Sequence, residues 1–184
     1  MNNIMKIKRK VKKLLVLPLF ASLFFSCTAF FPTEQETGYS AIITSVIDGD
    51  TVTIRFNTDI LPSGCNRTEK VRLIGINTPE LTINPPEYYA KEARDFLNQY
   101  YLTPIIVKFD SVSDRRDRYG RLLAYIYDDT SFDSINWRIL YYGYGYFYGL
   151  FAFEAEKMEE FKIAETDARI NKRGLWNELY TEKN

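Results

Sequence analysis

Four residues of this 184-residue chain have the types and spacing that chemistry needs: Asp50, Arg72, Glu80 and Arg121. The chain contains no histidine. That removes Ser-His-Asp triads, Cys-His nucleophile pairs and every His-ligated zinc or iron site. Cys27 and Cys65 are too few for a Cys₄ zinc site or a disulfide framework. Catalysis must therefore come from carboxylates, arginines, hydroxyls and a metal bound through oxygen. Such a set suits attack on a phosphodiester, where negative charge builds on the non-bridging oxygens. Arg72 and Arg121, arriving from separate segments, can each offer paired N–H groups to those oxygens. Asp50 and the side-chain oxygen of Asn77 can ligate a hard divalent cation that adds Lewis-acid stabilisation. Glu80 would orient or deprotonate the attacking water, since no histidine competes for the proton.

Taken singly, each candidate has a plainer reading. Asp48-Gly49-Asp50 between two strands reads as a hairpin turn. Arg72 fits a solvated strand face, Asn77-Thr78-Pro79-Glu80 a stiffened strand exit, and Arg115, Arg116, Arg118 and Arg121 a solvated loop. The ordered set is far more specific. Val46-Ile47-Asp48-Gly49-Asp50-Thr51-Val52 is followed by Val71-Arg72-Leu73-Ile74-Gly75-Ile76-Asn77-Thr78-Pro79-Glu80, then by Asp117-Arg118-Tyr119-Gly120-Arg121-Leu122. From about Ile42 to Trp176, ending in Lys172-Arg173-Gly174-Leu175-Trp176, the chain resembles the staphylococcal nuclease (thermonuclease) family.

The resemblance implies an α+β fold, a five-stranded OB-type barrel with three helices. It also implies hydrolysis of DNA and/or RNA with little sequence preference, a Ca²⁺ cofactor and 3′-phosphorylated products. Arg72, Glu80 and Arg121 become the catalytic set. Asp50, Asn77 and the Thr78 carbonyl become the metal ligands. The family commonly places aspartate where this chain has Asn77, which implies a weaker metal site. The rival readings are a catalytically weak nucleic-acid-binding module and a surface scaffold protein of the same fold. Neither would need Arg72, Glu80 and Arg121 together.

The elements that must carry these residues are legible in the chain. Residues 41–47, 51–56, 70–76, 104–109 and 122–127 read as strands, with loops over 57–67 and 114–121. Helical spacing recurs through Tyr89, Ala93, Phe96, Leu97 and Tyr100, and again through Ala155, Met158, Phe161, Ala164 and Ala168. A short helix begins near Ser134 and ends at Gly143, and the last helix is expected to stop at Gly174. Tyr119 lies close to Arg121, while Tyr141, Tyr142, Tyr144, Tyr146 and Tyr148 crowd one glycine-punctuated segment. Tyr119, Tyr146 and Tyr148 are candidate base-stacking residues. The competing expectation is that most of these rings fill the interface between the barrel and the last helix.

Charge and hydropathy divide the chain. Hydrophobic residues make up 46%, enough for a packed core and too many for wholesale disorder. Every charge before Cys27 is positive: Lys6, Lys8, Arg9, Lys10, Lys12 and Lys13. Without those six, 18 basic residues face 24 acidic ones, so the body carries about −6. Any nucleic acid would have to be met by a local cationic site on an acidic body. The twelve uncharged residues 14–25 follow the basic stretch and lead into Ser26-Cys27. This order describes an export signal, and Leu23-Phe24-Phe25-Ser26-Cys27 resembles a bacterial lipobox, with Phe24 and Phe25 departing from its usual pattern. The expected organisation is a signal peptide over 1–26, a lipidated Cys27 and flexible tether over 27–38, and a nuclease-like domain over 39–180. An uncleaved anchor or ordinary secretion remain alternatives. The expected product is an exported, membrane-anchored monomer.

Overall fold

The computed structural model describes residues 38–130 and 132–177. Residues 1–26, Cys27 and most of the tether lie outside the described residues. Strand β1 (Tyr39–Asp48) turns through Gly49-Asp50 into β2 (Thr51–Phe56), and β3 (Thr68–Leu73) lies antiparallel to β2. A two-residue strand β4 (Ile76–Asn77) precedes helix α1 (Ala90–Asn98). Then come β5 (Pro104–Lys108), β6 (Leu122–Tyr127), α2 (Ile135–Tyr141), β7 (Tyr146–Phe147) and α3 (Ala155–Ile170). The five long strands close a barrel in the order β1-β2-β3-β6-β5, with β5 pairing back to β1. Only β3 and β6 run parallel. Closure removes the exposed edges that an open sheet would present. The expected α+β class, with a five-stranded OB-type barrel and three helices, is what the structure has.

Period-two patterning builds the barrel. On β2, Val52, Ile54 and Phe56 point inward, while Thr53 and Arg55 alternate with them. Val71 and Leu73 of β3 join Ile105, Val107, Leu122, Ala124 and Ile126 in the same interior. Each fully buried Ile, Leu or Phe contributes about 1.5–3 kcal/mol, so this interior is the main support of the fold. Helix α3 packs on α2 and β7 and buries Phe161, Ala164 and Ala168. Helix α2 starts at Ser134, whose hydroxyl accepts from Trp137 N at 3.1 Å, a capping bond typical of serine.

Two elements differ by several residues from the sequence reading. The third strand starts at Thr68 and stops at Leu73 instead of running over 70–76. Gly75 takes φ 76°, where a side chain would meet the Phe161 ring at 2.7 Å. Beyond that break Ile76–Asn77 pairs with Tyr146–Phe147 in a separate two-stranded sheet. The last helix ends at Ile170 and not at Gly174, because Lys172 enters the left-handed region at φ 54°. Gly174 instead opens a short 3₁₀ turn, Gly174–Trp176.

Candidate active site

The β1–β2 turn, the outer face of β3, the β4 exit and the loop before β6 meet around one open cleft of about 800 Å³. Asp50, Arg72, Asn77, Glu80 and Arg121 all line it. Asp50 follows the Gly49 turn, and Gly49 is required there by close packing. A Cβ at that position would lie 2.7 Å from both Ala93 Cβ and Thr78 Oγ1. Asp50 is 5% exposed and fully engaged. Its Oδ1 accepts from Thr51 Oγ1 at 2.9 Å and its Oδ2 from Thr78 N at 3.0 Å. The same Oδ2 lies 2.9 Å from Arg72 Nη1. Arg72 Nη2 donates to Asn77 Oδ1 at 3.0 Å. Thus Arg72 bridges both side chains expected to ligate a metal.

Arg121 comes from the other wall. Its Nε donates to Asp117 Oδ2 at 2.7 Å, and its Nη1 reaches Thr51 Oγ1 at 3.3 Å. Among the described residues its Nη2 makes no hydrogen bond, which leaves that edge for an anion. Arg72 pairs in register with Leu123, two residues after Arg121, so the parallel β3–β6 contact brings the two arginines to one cleft.

Glu80 sits at the exposed rim, beyond Pro79. Its N–H donates to Glu87 Oε2 at 2.7 Å, and its carbonyl accepts from Glu87 N at 3.0 Å, pinning the backbone on both sides of the intervening loop. Its carboxyl neighbours that of Asp48. Desolvation raises the Glu80 carboxyl above its ordinary value, the hydrogen bond and charge of Asp48 and the charge of Asp50 raise it further, and Arg72 opposes them. Burial likewise raises Asp48, against the hydrogen bond it accepts from Gly49 N at 3.0 Å. Asp48 is therefore a site residue that the sequence alone places only in a hairpin turn. Its signal was the Asp-Gly-Asp turn itself, where the first aspartate faces the same cleft as the second.

A hard cation fits the donor chemistry of this cleft. Asp48, Asp50, Asn77 and Glu80 all present oxygen to it, and no nitrogen or sulfur ligand competes. Among the described residues no three His, Cys, Asp or Glu side chains are grouped as a metal site. A cation here would thus depend on Asp50 with neutral oxygens from Asn77 and Thr78. Thr78 Oγ1, buried beneath the turn, has no hydrogen-bond partner.

The aromatic candidates separate. Tyr119 is 69% exposed at the cleft mouth, with the guanidinium carbons of Arg118 and Arg121 at 4.8 and 5.5 Å from its ring centroid. Tyr148 also lines the cleft. Tyr146 is not among the cleft-lining residues; its ring packs edge-on against Trp176 at 5.4 Å. Tyr144 stacks on Phe96 of α1 at 4.4 Å, and Tyr141 stacks on Trp137 at 4.5 Å. Those two rings are packing elements: Tyr144 faces α1, and Tyr141 lies between Trp137 of its own helix and the Arg173 guanidinium, 3.9 Å from its ring centroid.

Residues 70–178 match the staphylococcal nuclease homologue family, and this chain belongs to that family. The chain is 32% identical over 171 residues to the uncharacterized protein MJ1439 of Methanocaldococcus jannaschii, covering 82% of this chain and 76% of that one. It is 28% identical to the endonuclease YncB of Bacillus subtilis, over 79% of this chain and 70% of that protein. It is 36% identical to the thermonuclease of Staphylococcus intermedius over 49% of each chain. Family and relatives together support a phosphodiester-hydrolysing nuclease.

Proposed function

We propose that this chain is a calcium-dependent nuclease that hydrolyses DNA and/or RNA strands with little sequence preference and releases 3′-phosphorylated ends. The observation that carries this reading is the convergence of Arg72, Arg121, Asp50, Asn77 and Glu80 on one cleft. Arg72 and Arg121 clamp the non-bridging oxygens from two walls and stabilise the charge that grows there. Glu80, with its carboxyl held above the ordinary range, takes the proton of the attacking water. Asp50, Asn77 and the Thr78 carbonyl would hold Ca²⁺, which supplies Lewis-acid polarisation of the phosphate and of water. Tyr119 and Tyr148 offer faces for base stacking, worth about 1–3 kcal/mol per base. The test is incubation of the purified chain with single-stranded DNA, with calcium or with a chelator, followed by analysis of the product ends. Binding without cleavage would make the chain a nucleic-acid-binding module or scaffold of the same fold.

The protein is also proposed to act outside the cytoplasm as a lipid-anchored monomer. The basic stretch, the apolar run and Ser26-Cys27 support that address. Cys27→Ala should abolish the diacylglyceryl mass on the exported protein, and a mature N-terminus mapped elsewhere than Cys27 would refute lipidation.

A further inference from the structure

The loop that delivers Arg121 is a small hairpin. Asp117 N donates to Arg121 O at 2.9 Å, Gly120 N to Asp117 O at 2.9 Å and Leu123 N to Arg115 O at 3.0 Å. Its tip, Arg118-Tyr119-Gly120, is exposed and has no core of its own. Arg121 takes its strongest side-chain hydrogen bond from within this hairpin, at Asp117, so its guanidinium moves wherever the hairpin moves.

One side chain bolts the hairpin to the barrel. Arg116 Nη1 donates to Glu69 Oε2 at 3.0 Å and to Gly120 O at 2.8 Å. Arg116 Nη2 donates to Glu69 Oε1 at 2.7 Å and to Gly64 O at 2.8 Å. All four Nη hydrogens are thereby used, and they tie together β3, the 57–67 loop and the hairpin. Glu69 is itself only 7% exposed and fixed by Asn66, which donates from N at 2.6 Å and from Nδ2 at 3.0 Å. Burial would raise the Glu69 carboxyl, but the hydrogen bonds from Arg116 and Asn66 outweigh it and hold the group below its ordinary value. A planar fork satisfied at both prongs fixes orientation as well as distance, which an ammonium cannot do.

We infer that Arg116, seated on Glu69, is a positioning residue that sets the reach of Arg121 into the cleft. The inference rests on the role proposed above for Arg121. Arg116 is not a third phosphate ligand, because its Nη hydrogens are spent on protein oxygens. Its effect is geometric, and misplacing a transition-state donor by about 1 Å can cost on the order of 10²-fold in rate.

The experiment is a double-mutant cycle on the full chain, with single-stranded DNA hydrolysis and thermal unfolding measured for each variant. Arg116→Gln and the milder Glu69→Gln and Arg116→Lys are each made alone and together with Arg121→Ala. In the wild-type background each should lower kcat by roughly 10- to 100-fold, with Arg116→Lys the least affected. In the Arg121→Ala background the same changes should lower the residual rate less than about twofold, since there is no guanidinium left to aim. Equal losses in both backgrounds would reduce Arg116 to a structural residue and overturn the inference, as would full activity in Arg116→Gln. If Arg121→Ala alone retained wild-type activity, the role of Arg121 itself would fail, and the inference with it. Arg116→Lys and Glu69→Gln keep the test decisive if Arg116→Gln does not fold.

Discussion

Arg72 and Asp50 form an ion pair at 2.9 Å, and the second nitrogen of the same guanidinium holds Asn77 Oδ1 at 3.0 Å. The oxygens suited to a cation are therefore held by an arginine suited to a phosphate. Substrate and cation together would redistribute this pairing, with the arginine moving to the phosphate and the oxygens becoming available.

That relationship separates two properties of Arg72. Arg72→Lys should lower hydrolysis by about 10²-fold or more, as loss of a well-placed transition-state donor does. Arg72→Gln should bind calcium more tightly than wild type in the absence of nucleic acid, by titration calorimetry. Unchanged or weaker calcium binding would show that the ion pair does not compete with the cation.

Glu80→Gln should reduce kcat by about 10²- to 10⁴-fold while nucleotide binding stays near wild type, because it removes a proton acceptor and no phosphate contact. A raised carboxyl stays protonated to higher pH, so the acid limb of the kcat/KM profile should lie above that of an ordinary glutamate. Desolvation would still act on Glu80 in Asp48→Asn, but the neighbouring charge would be gone, so the limb should move to lower pH. A limb that stays in place would disconnect Asp48 from the proton acceptor.

Asn77→Asp adds a charged ligand to a cleft in which Asp50 is the principal anionic donor. Half-maximal activity should then come at lower calcium than in wild type. An unchanged midpoint would mean that Asn77 does not touch the metal.

Stability has its own titration. Arg138 donates to both oxygens of Asp128, at 2.8 and 2.7 Å, and these hydrogen bonds pull the Asp128 carboxyl down to about 2. The folded value lies below the unfolded one of about 3.9, so this stabilisation is fully present above pH 4 and is lost as pH falls towards 2. Asp128→Asn should cost about 2 kcal/mol at neutral pH and flatten the pH dependence of Tm between about pH 4 and 2. A variant with the wild-type acid transition would exclude this pair as its source.

The barrel was legible because its strands are rich in Ile, Val and Thr and its turns carry Gly, Pro and Asp. Residues 51–56 and 122–127 match the observed β2 and β6 in full. The β4–β7 pair was not legible: each strand is two residues long, too short to show a period. The cleft residues Asp50, Arg72, Asn77, Glu80 and Arg121 were recognised as an ordered set, and the fold brings them together. The pairing of Arg116 with Glu69 is not legible because the two are 47 residues apart and each alone looks like surface charge. For a related reason, a cluster of tyrosines does not tell which ring meets Trp176, as Tyr146 does.

Because β3 and β6 pair in parallel, Arg72 and Arg121 become neighbours only where that seam of the barrel closes. The 48 residues between Leu73 and Leu122, α1 and β5 among them, separate the two strands along the chain. A chain cut short of β6, or one whose barrel has opened, still contains Asp50, Arg72 and Glu80 but has only half of the proposed phosphate clamp. Hydrolysis is thus a reporter of barrel closure, and it should disappear along the same cooperative curve as the β3–β6 contact. The fold serves as the enzyme's own safety catch.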